Sequence, residues 1–300
     1  MRRKKSQRIL DSVEYIFCYG LFIILSMLPR DAYPRVADVI CYLSCLSMSL
    51  KKKIRKNIIA AYGNSLSPRE RTLLIKRILK KNIFFITEFV LWTKLKPEDS
   101  LKLIEFRNLE SLKKVCEAKK PVVLITGHIG NFSIMIASLV YSGIPLTILI
   151  RGTNNQYLER FIDRKLRKKG IPEIKKTNTR DIIHQSYEWL RKGNALCILI
   201  DQHSGKGTKV EFFKKTVQAP TGAAVFARKY DACVFGAFIS HKQGFRHRIS
   251  IEGPYNTIKT NNAEYDFQVN TQLFYDRIEH YVRESPEECR SGGQQGSCAA

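Results

Sequence analysis

One short stretch constrains the fold more than any other: an apolar, β-branched run at residues 121–126 that leads directly to a histidine. Such a run is typical of a buried strand. Gly127 and Gly130 stand on either side of His128, so the backbone can turn sharply and approach a ligand closely. The mostly apolar segment Phe132–Tyr141 then predicts a helix. Strand, tight turn and helix place His128 at the carboxyl end of a strand, where α/β folds usually carry their chemistry.

The same texture of alternating strands and helices continues through the rest of the chain. Strands are predicted at residues 145–150, 195–200, 209–213, 232–240 and 246–252, and helices at 156–169, 179–191, 222–229 and 263–283. Roughly the first hundred residues instead predict helices that are apolar on one side and basic on the other. The sequence therefore predicts the α/β class: an αβα sandwich with a largely parallel central sheet, preceded by an N-terminal membrane-associated helical segment.

The N-terminus is a second clear signal, because a basic cluster at residues 2–5 precedes an apolar segment at residues 15–28. No small-x-small cleavage pattern follows, which favours a retained anchor over a cleaved signal peptide. The segment is shorter than the about 20 residues that a spanning helix needs, although it can be extended back to Val13. It is predicted to be half-inserted or barely spanning, and a buried core helix is the alternative.

The charge of the chain is far from balanced. It carries 51 Lys and Arg against 27 Asp and Glu, a formal net charge of +24. A surplus of this size implies an acidic partner, and nucleic acid, anionic lipid headgroups and an acidic protein all qualify. The basic runs lack the interleaved aromatic residues of single-strand binders. Beside an apolar N-terminal segment they favour an anionic bilayer.

The eight cysteines predict neither a metal site nor a disulfide framework. They form no C-x-x-C pair and no His/Cys cluster with zinc spacing. Buried free thiols in a reducing compartment are the expectation. The sequence also lacks a P-loop and a G-x-S-x-G nucleophile setting.

His128 is the leading candidate for catalysis. A histidine can accept a proton near neutral pH, and its glycine-rich surroundings leave room for a substrate and offer backbone N–H groups to an oxyanion. Gly130 and Asn131, just after it, are candidates for contacting the substrate. A single histidine after a strand also has an ordinary alternative, a purely structural role.

Two more predicted strands end in charged residues. Asp201 follows the strand at 195–200, and Arg151 follows the strand at 145–150. If the strands are neighbours, Asp201 can orient the His128 imidazole and stabilise its protonated form. Arg151 suits a phosphate group, and Gln202 beside Asp201 is a further candidate for binding substrate. A capping aspartate and a solvated arginine are the structural alternatives.

The order and spacing of these motifs resemble the bacterial lipid A biosynthesis (late) acyltransferase family, within the lysophospholipid acyltransferase superfamily. The resemblance covers most of the chain. It rests on the anchor ending in Leu28-Pro29, Asn57, Ser67-Pro68-Arg69-Glu70, Thr126-Gly127-His128-Ile129-Gly130-Asn131-Phe132, Arg151, Asp201-Gln202, Val210-Glu211-Phe212-Phe213, Pro220-Thr221-Gly222, Ala227-Arg228 and Ser285-Pro286-Glu287-Glu288.

The resemblance implies a transferase on the cytoplasmic face of the bacterial inner membrane. It implies transfer of a fatty acyl group from acyl carrier protein or acyl-CoA to a hydroxyl of an anionic membrane lipid or phosphorylated glycolipid. His128 matches the general base of the family's H-x4-D/E motif. The resemblance implies no covalent intermediate, no cofactor and no metal. Asp201 is expected to assist His128, and Arg151 to bind acceptor phosphate. No nucleic acid partner is expected.

Two departures from the family pattern affect these expectations. Ser133 stands where the motif has its acid, and a hydroxyl cannot carry that acid's charge. Where the family has an aromatic and basic run, the chain ends in a small, polar segment. The departure at Ser133 makes a catalytically impaired lipid-binding relative the main alternative. A basic nucleic-acid-binding protein is a third, although it leaves the apolar N-terminal segment unexplained.

The chain is accordingly predicted to have three parts. Residues 1–30 form the basic N-terminus and anchor helix. Residues 31–288 form the acyltransferase-like α/β domain. Residues 289–300 form a polar tail whose composition predicts disorder.

Overall fold

The computed structural model describes residues 5–44, 47–63, 65–150, 155–175, 179–201 and 207–289. The helices in these ranges are α1 (Lys5–Met27), α2 (Tyr33–Ser44), α3 (Met48–Tyr62), α4 (Pro68–Lys94), α5 (Pro97–Leu101), α6 (Leu109–Glu117), α7 (Phe132–Tyr141), α8 (Gln156–Lys168), α9 (Thr179–Arg191), α10 (Gly222–Tyr230) and α11 (Ala263–Glu284). The strands are β1 (Ile104–Arg107), β2 (Val122–Thr126), β3 (Leu146–Ile150), β4 (Glu173–Lys175), β5 (Ala195–Leu199), β6 (Thr208–Phe212), β7 (Lys215–Ala219), β8 (Cys233–His241) and β9 (His247–Glu252).

The central sheet has the strand order β1-β9-β8-β2-β5-β3-β4. Its neighbours run parallel, except that β8 and β9 pair antiparallel. β6 and β7 form a separate antiparallel hairpin. The predicted α/β class with a largely parallel central sheet is confirmed.

β2 shows why this is a sandwich with helices on both faces. All five of its side chains are buried, and successive side chains point to opposite faces of the sheet. Val123 and Ile125 pack into a core with α10 and α11, whereas Val122 and Leu124 pack into a second core with α6 and α7. A strand covered on both faces has to be apolar at every position, which explains the unbroken apolar run.

The N-terminal part is helical, as the sequence predicts. α4 begins at a capping box: Ser67 Oγ accepts from the Glu70 N–H at 3.3 Å, and Glu70 Oε2 accepts from the Ser67 N–H at 2.7 Å. Pro68 occupies the first turn of the helix. α1 contains a 20-residue stretch, Arg8–Met27, that is long and apolar enough to cross a membrane.

The cysteines follow the expectation of buried free thiols only in part. Cys116 and Cys197 are buried free thiols, whereas Cys18, Cys41 and Cys233 are free but only partly buried. Burial raises the pKa of Cys116 to about 11 and that of Cys197 to about 12, so both stay protonated at neutral pH. Cys289 is disulfide-bonded, so the expectation of free thiols is wrong there. Cys289 also pairs with Ile129 in an antiparallel bridge, and the rest of the predicted tail, 290–300, lies outside the described residues.

Candidate active site

The register of two neighbouring parallel strands brings the two leading candidates together. β2 and β5 pair with Thr126 opposite Leu199, and the ladder continues with the N–H of Ile200 donating to the Thr126 carbonyl at 3.0 Å. His128 and Asp201 each come two residues after those partners. In a parallel sheet, equal distances past paired residues end at the same edge, so the two side chains emerge side by side.

The Asp201 carboxylate holds His128 at two points. Its Oδ1 lies 2.8 Å from His128 Nδ1, and its Oδ2 accepts from the His128 backbone N–H at 2.7 Å. The Asp201 side chain is fully buried, whereas 19% of the His128 side chain is exposed. Contact through Nδ1 favours the tautomer with the proton on Nδ1 and directs the Nε2 lone pair away from the carboxylate. No described residue makes a hydrogen bond to Nε2.

Gly127 makes this contact sterically possible. A Cβ atom there would lie 3.2 Å from Ile278 Cδ1 and 3.3 Å from the Asp201 carboxylate. Such distances are tighter than most real Cβ contacts, so a side chain at 127 would press on the carboxylate that holds His128. The ring of Phe132 packs edge-on against the imidazole, with 5.2 Å between ring centroids.

The next residues of the loop are tied into the protein rather than left open. Gly130 has φ +55, and its N–H donates to the Glu288 carbonyl at 2.8 Å. The N–H groups of His128 and Gly130 are thus engaged within the protein, in contrast to the expectation that they serve an oxyanion. Asn131 is buried and caps α7 through its side-chain oxygen, 3.4 Å from the Ile134 nitrogen. Its predicted contact with substrate, like that of Gly130, stays a prediction.

The other predicted site residues divide into two groups. Ser133 lies in the first turn of α7 and is half-buried. Arg151 and Gln202 lie outside the described residues, although β3, which precedes Arg151, is the neighbour of β5. The predictions for Arg151 and Gln202 therefore stay predictions.

A second polar cluster, which the sequence analysis missed, lies behind the loop. Glu88, buried in α4, accepts from the Asn131 side-chain amide at 3.0 Å. Glu88 Oε1 also lies 3.3 Å from His247 Nε2 and 4.0 Å from His241 Nε2. The 3.3 Å contact lacks the alignment of a hydrogen bond. The sequence does carry a signal here, since Glu88 is the only charged residue in the mostly apolar stretch between Lys81 and Lys94.

An ion pair connects this cluster to the end of the domain. Lys81 Nζ donates to Glu288 Oε1 at 2.9 Å, and the same oxygen accepts from the His241 backbone N–H at 3.1 Å. Together the cluster lines a small recess that opens to solvent, with Gly130 and Asn131 in its wall.

Electrostatics keep Glu88 ionised and His241 neutral. Burial opposes ionisation of Glu88, but contacts from His247, Asn131 and His241 outweigh burial and hold the pKa of this carboxyl below its ordinary value. Burial, and next the positive charge of Lys81, lower the pKa of His241. Glu88 is therefore an anion at neutral pH, and His241 is neutral. Among the described residues, no group of three or more His, Cys, Asp or Glu side chains could hold a metal ion.

Near Asp201, Tyr275 is hydrogen-bonded to the preceding residue of the backbone. Its hydroxyl donates to the Ile200 carbonyl at 2.6 Å, and burial, followed by the charge of Asp201, raises its pKa. Tyr275 is therefore un-ionised and fixes the backbone that carries Asp201.

The sequence of the chain matches a known protein family. A family model described as "Bacterial lipid A biosynthesis acyltransferase" matches residues 1–289. No curated protein matches the chain. The match runs through the N-terminal helices, the central sheet and the loop that carries His128.

Proposed function

Since the chain belongs to the bacterial lipid A biosynthesis acyltransferase family, we propose that it moves a fatty acyl group from an acyl thioester to a hydroxyl of a lipid A precursor or related glycolipid, with His128 as general base. Membership makes the protein an acyltransferase that uses an acyl donor and a lipid acceptor. The donor, acyl carrier protein or acyl-CoA, and the place of action, the cytoplasmic face of the bacterial inner membrane, are parts of the proposal.

The observation that carries the proposal is the contact between Asp201 and His128. A fully buried carboxylate 2.8 Å from Nδ1 orients the ring and stabilises the imidazolium that forms when Nε2 takes up a proton. The Asp201 side chain thereby does for the histidine what the acid of the H-x4-D/E motif is expected to do. This supports a working base in a chain that has Ser133 at the motif position.

The proposed reaction balances without a cofactor. His128 Nε2 removes the proton of the acceptor hydroxyl, and the oxygen attacks the thioester carbonyl to form the C–O bond. The tetrahedral intermediate collapses, the C–S bond breaks, and the imidazolium returns its proton to the leaving thiolate. Asp201 remains ionised throughout and acts by positioning the ring.

The remaining site residues complete the proposal. Arg151 binds acceptor phosphate, because its guanidinium matches the geometry of phosphate oxygens. Gln202, Gly130 and Asn131 lie in the segments that frame the substrate. The net charge of +24 suits both an acidic carrier protein and anionic lipid.

The experiment is an acyl-transfer assay with purified full-length protein, acyl carrier protein charged with a fatty acid, and a lipid A precursor. His128→Ala and Asp201→Asn are compared with His280→Ala and Asp276→Asn, which change the same residue types at exposed positions of α11. The proposal expects a loss on the order of 10²-fold or more at His128 and a smaller loss at Asp201. Undiminished transfer by His128→Ala would sink the mechanism.

A second candidate, a lipid-binding relative without turnover, is favoured by Ser133 alone. It expects tight binding of the glycolipid and no acyl transfer by the native chain. Ser133→Glu tests it, because restoring the motif's acid should produce transfer only if its loss had silenced the site. Transfer by the native chain with no gain in Ser133→Glu excludes this candidate, and Ser133→Thr is the control for a change of size without charge.

A further inference from the structure

Helix α1 has one apolar face packed on the protein, with Phe22 and Leu25 buried, and a second apolar face that is uncovered. Its side chains recur at intervals of three and four residues, so they form one stripe along the helix. We call this the outer stripe: Ile9, Val13, Ile16, Phe17, Ile24 and Met27, which are between 60% and 80% exposed. At 1.5 Å per residue, the stripe is about 27 Å long. Exposed apolar surface of this extent indicates an interaction site.

The opposite face of α1 is fastened to the α/β domain near both ends. Toward the start, the Asn155 side-chain amide donates to the Asp11 carbonyl at 2.7 Å and to Glu14 Oε2 at 2.9 Å. Toward the end, Lys94 Nζ donates to the carbonyls of Ser26 at 2.9 Å and Leu28 at 3.2 Å. Between them Leu25 is fully packed, at 1% exposure.

Helix α8 lies alongside α1, and one of its basic side chains reaches the apolar part of α1 around Phe22. Phe161 packs edge-on against Phe22 with 5.0 Å between ring centroids, and Lys165 Nζ lies 4.3 Å from the Phe22 centroid. α8 is itself fixed to the sheet, since Leu166 packs against the core that contains α7. The exposed side chains of α8 include several bases, Arg160, Arg164, Arg167 and Lys168.

These contacts are incompatible with a membrane-spanning α1. Asp11 and Ser26 are 15 residues, or about 22 Å, apart along the helix, yet side chains of the same domain hold both. In a spanning helix, the two ends face opposite sides of a hydrocarbon core about 30 Å thick. The Lys165 ammonium would then enter the hydrocarbon beside Phe22, at a cost of several kcal/mol.

We propose that α1 lies in the plane of the membrane surface, with the outer stripe in the acyl-chain region of an anionic phospholipid leaflet and the bases of α8 on its headgroups. A stripe of this kind beside basic side chains is the physical signature of an interfacial helix. α2 extends the apolar surface after a three-residue turn, with Val39, Tyr42 and Leu43 exposed. Both ends of α1 are thus on the same side of the membrane as the site around His128.

Binding to vesicles is the first test. Purified full-length protein is sedimented with phosphatidylcholine vesicles that contain or lack phosphatidylglycerol. Ile16→Asp and Ile24→Asp should each weaken partitioning roughly tenfold or more, because each puts a charge into the stripe. Ile183→Asp, at an exposed isoleucine of α9, is the matched control and should bind like the unchanged chain. Undiminished binding by the stripe variants, or an equal loss in the control, overturns the proposal.

Topology is the second test, and it separates an in-plane helix from a spanning one. One epitope tag is placed before residue 1 and a different tag after residue 300, and inverted inner-membrane vesicles are treated with protease. An in-plane α1 predicts that both tags are digested, whereas a spanning α1 protects one of them and overturns the proposal.

Two further readouts exclude other occupants and other causes. If a second copy covers the outer stripe, Ile16→Asp will turn a dimer into a monomer in ultracentrifugation without changing vesicle binding, and the proposal fails. His128→Ala should bind vesicles like the unchanged chain, so failure of the proposed reaction does not affect this test. Unchanged melting temperatures of the variants check that each one folds.

Discussion

In the described part of the chain, two buried carboxylates contact histidines, and the two pairs differ in alignment and in the exposure of the imidazole. Asp201 lies 2.8 Å from His128 at the ends of two parallel strands, and 19% of the His128 side chain is exposed. Glu88 lies 3.3 Å from His247, whose side chain is only 3% exposed. The first pair is aligned and its imidazole is partly exposed, whereas the second is misaligned and both of its side chains are buried; we call them the open pair and the sealed pair.

The comparison teaches that a carboxylate beside a histidine is not by itself a catalytic dyad. A general base needs one ring nitrogen held by the protein and the other within reach of the substrate. The geometry of His128 is compatible with both conditions, because Asp201 holds its Nδ1 and 19% of its side chain is exposed. His247 meets neither, since both its ring nitrogens are buried without a hydrogen bond.

The two pairs are nevertheless joined by one loop. His128 at its start contacts Asp201, and Asn131 at its end donates to Glu88. Gly130 between them is pinned to the Glu288 carbonyl. The sealed pair therefore supports the open one, because it fixes the end of the loop that carries the imidazole.

The largest expected effect is a loss of activity at the open pair, set against a loss of stability at the sealed pair. His128→Ala should lower kcat/KM for acyl transfer by about 10²–10⁴-fold, because it removes the base, while the backbone N–H of residue 128 still donates to the buried Asp201 carboxylate. His247→Leu should instead lower the melting temperature with little change in kcat/KM, because it replaces a buried ring behind the loop. Kinetics and thermal unfolding of both variants check this. Comparable kinetic losses in the two would refute the distinction between the pairs.

Next in size is the cost of removing the sealed carboxylate. Glu88→Ala leaves the buried Asn131 amide without its acceptor and removes the anion beside His247, so the free energy of unfolding should fall by about 3 kcal/mol. Glu88→Gln keeps an oxygen for Asn131 and should cost less. Urea unfolding measures both, and the control is Glu188→Ala, which breaks an exposed pair with Arg191 and should cost at most about 0.5 kcal/mol.

Two glycines with positive φ test how tightly the loop after His128 is packed. Gly130→Ala should destabilise the protein by roughly 2–3 kcal/mol, because the new Cβ would lie 2.5 Å from the Ile239 carbonyl oxygen. Gly143→Ala has the same backbone problem, φ +87, but nothing within 4 Å, so it should cost only about 1 kcal/mol. Urea unfolding gives both values. Equal costs would mean that the close approach at Gly130 relaxes freely.

The smallest effect is a pH dependence of stability that comes from Glu88 and His241. A group whose pKa is lowered by folding binds fewer protons when folded, so its stabilisation is present above its ordinary pKa and is lost on acidification. For His241 the loss begins as pH falls below about 6.5, and for Glu88 below about 4.5. Between pH 7.5 and 5.5, the melting temperature of His241→Gln should therefore fall less than that of the unchanged chain. Parallel curves would rule out His241 as a source of the slope.

Much of the fold was predictable because it rests on local patterns. The strands at 121–126 and 195–200 are long apolar runs, and the observed β2 and β5 lie within them. β1, β4 and β7 were missed, because three to five residues with exposed positions show too little periodicity. β7 also directly follows β6 in a tight hairpin, with Phe212 paired to Lys215.

The candidate site was predictable in part for the same reason. His128 and Asp201 each follow a strand, which is a local observation. Glu88, His241 and His247 come from α4, β8 and β9, so no spacing in the sequence relates them. Their cluster exists only because the fold brings Glu88 of α4 to the turn between β8 and β9, where His241 and His247 lie.

The sequence by itself determined the α/β class, the amphipathic N-terminal helix, and a histidine and an aspartate at the ends of strands, because each follows from the side-chain periodicity of one segment. Only the tertiary structure decided that β2 and β5 are neighbours in a register that puts Asp201 on His128. It also decided that α1 is fastened along one face rather than free. Strand order and helix docking depend on burial summed over segments far apart in the chain, and no local pattern records that sum.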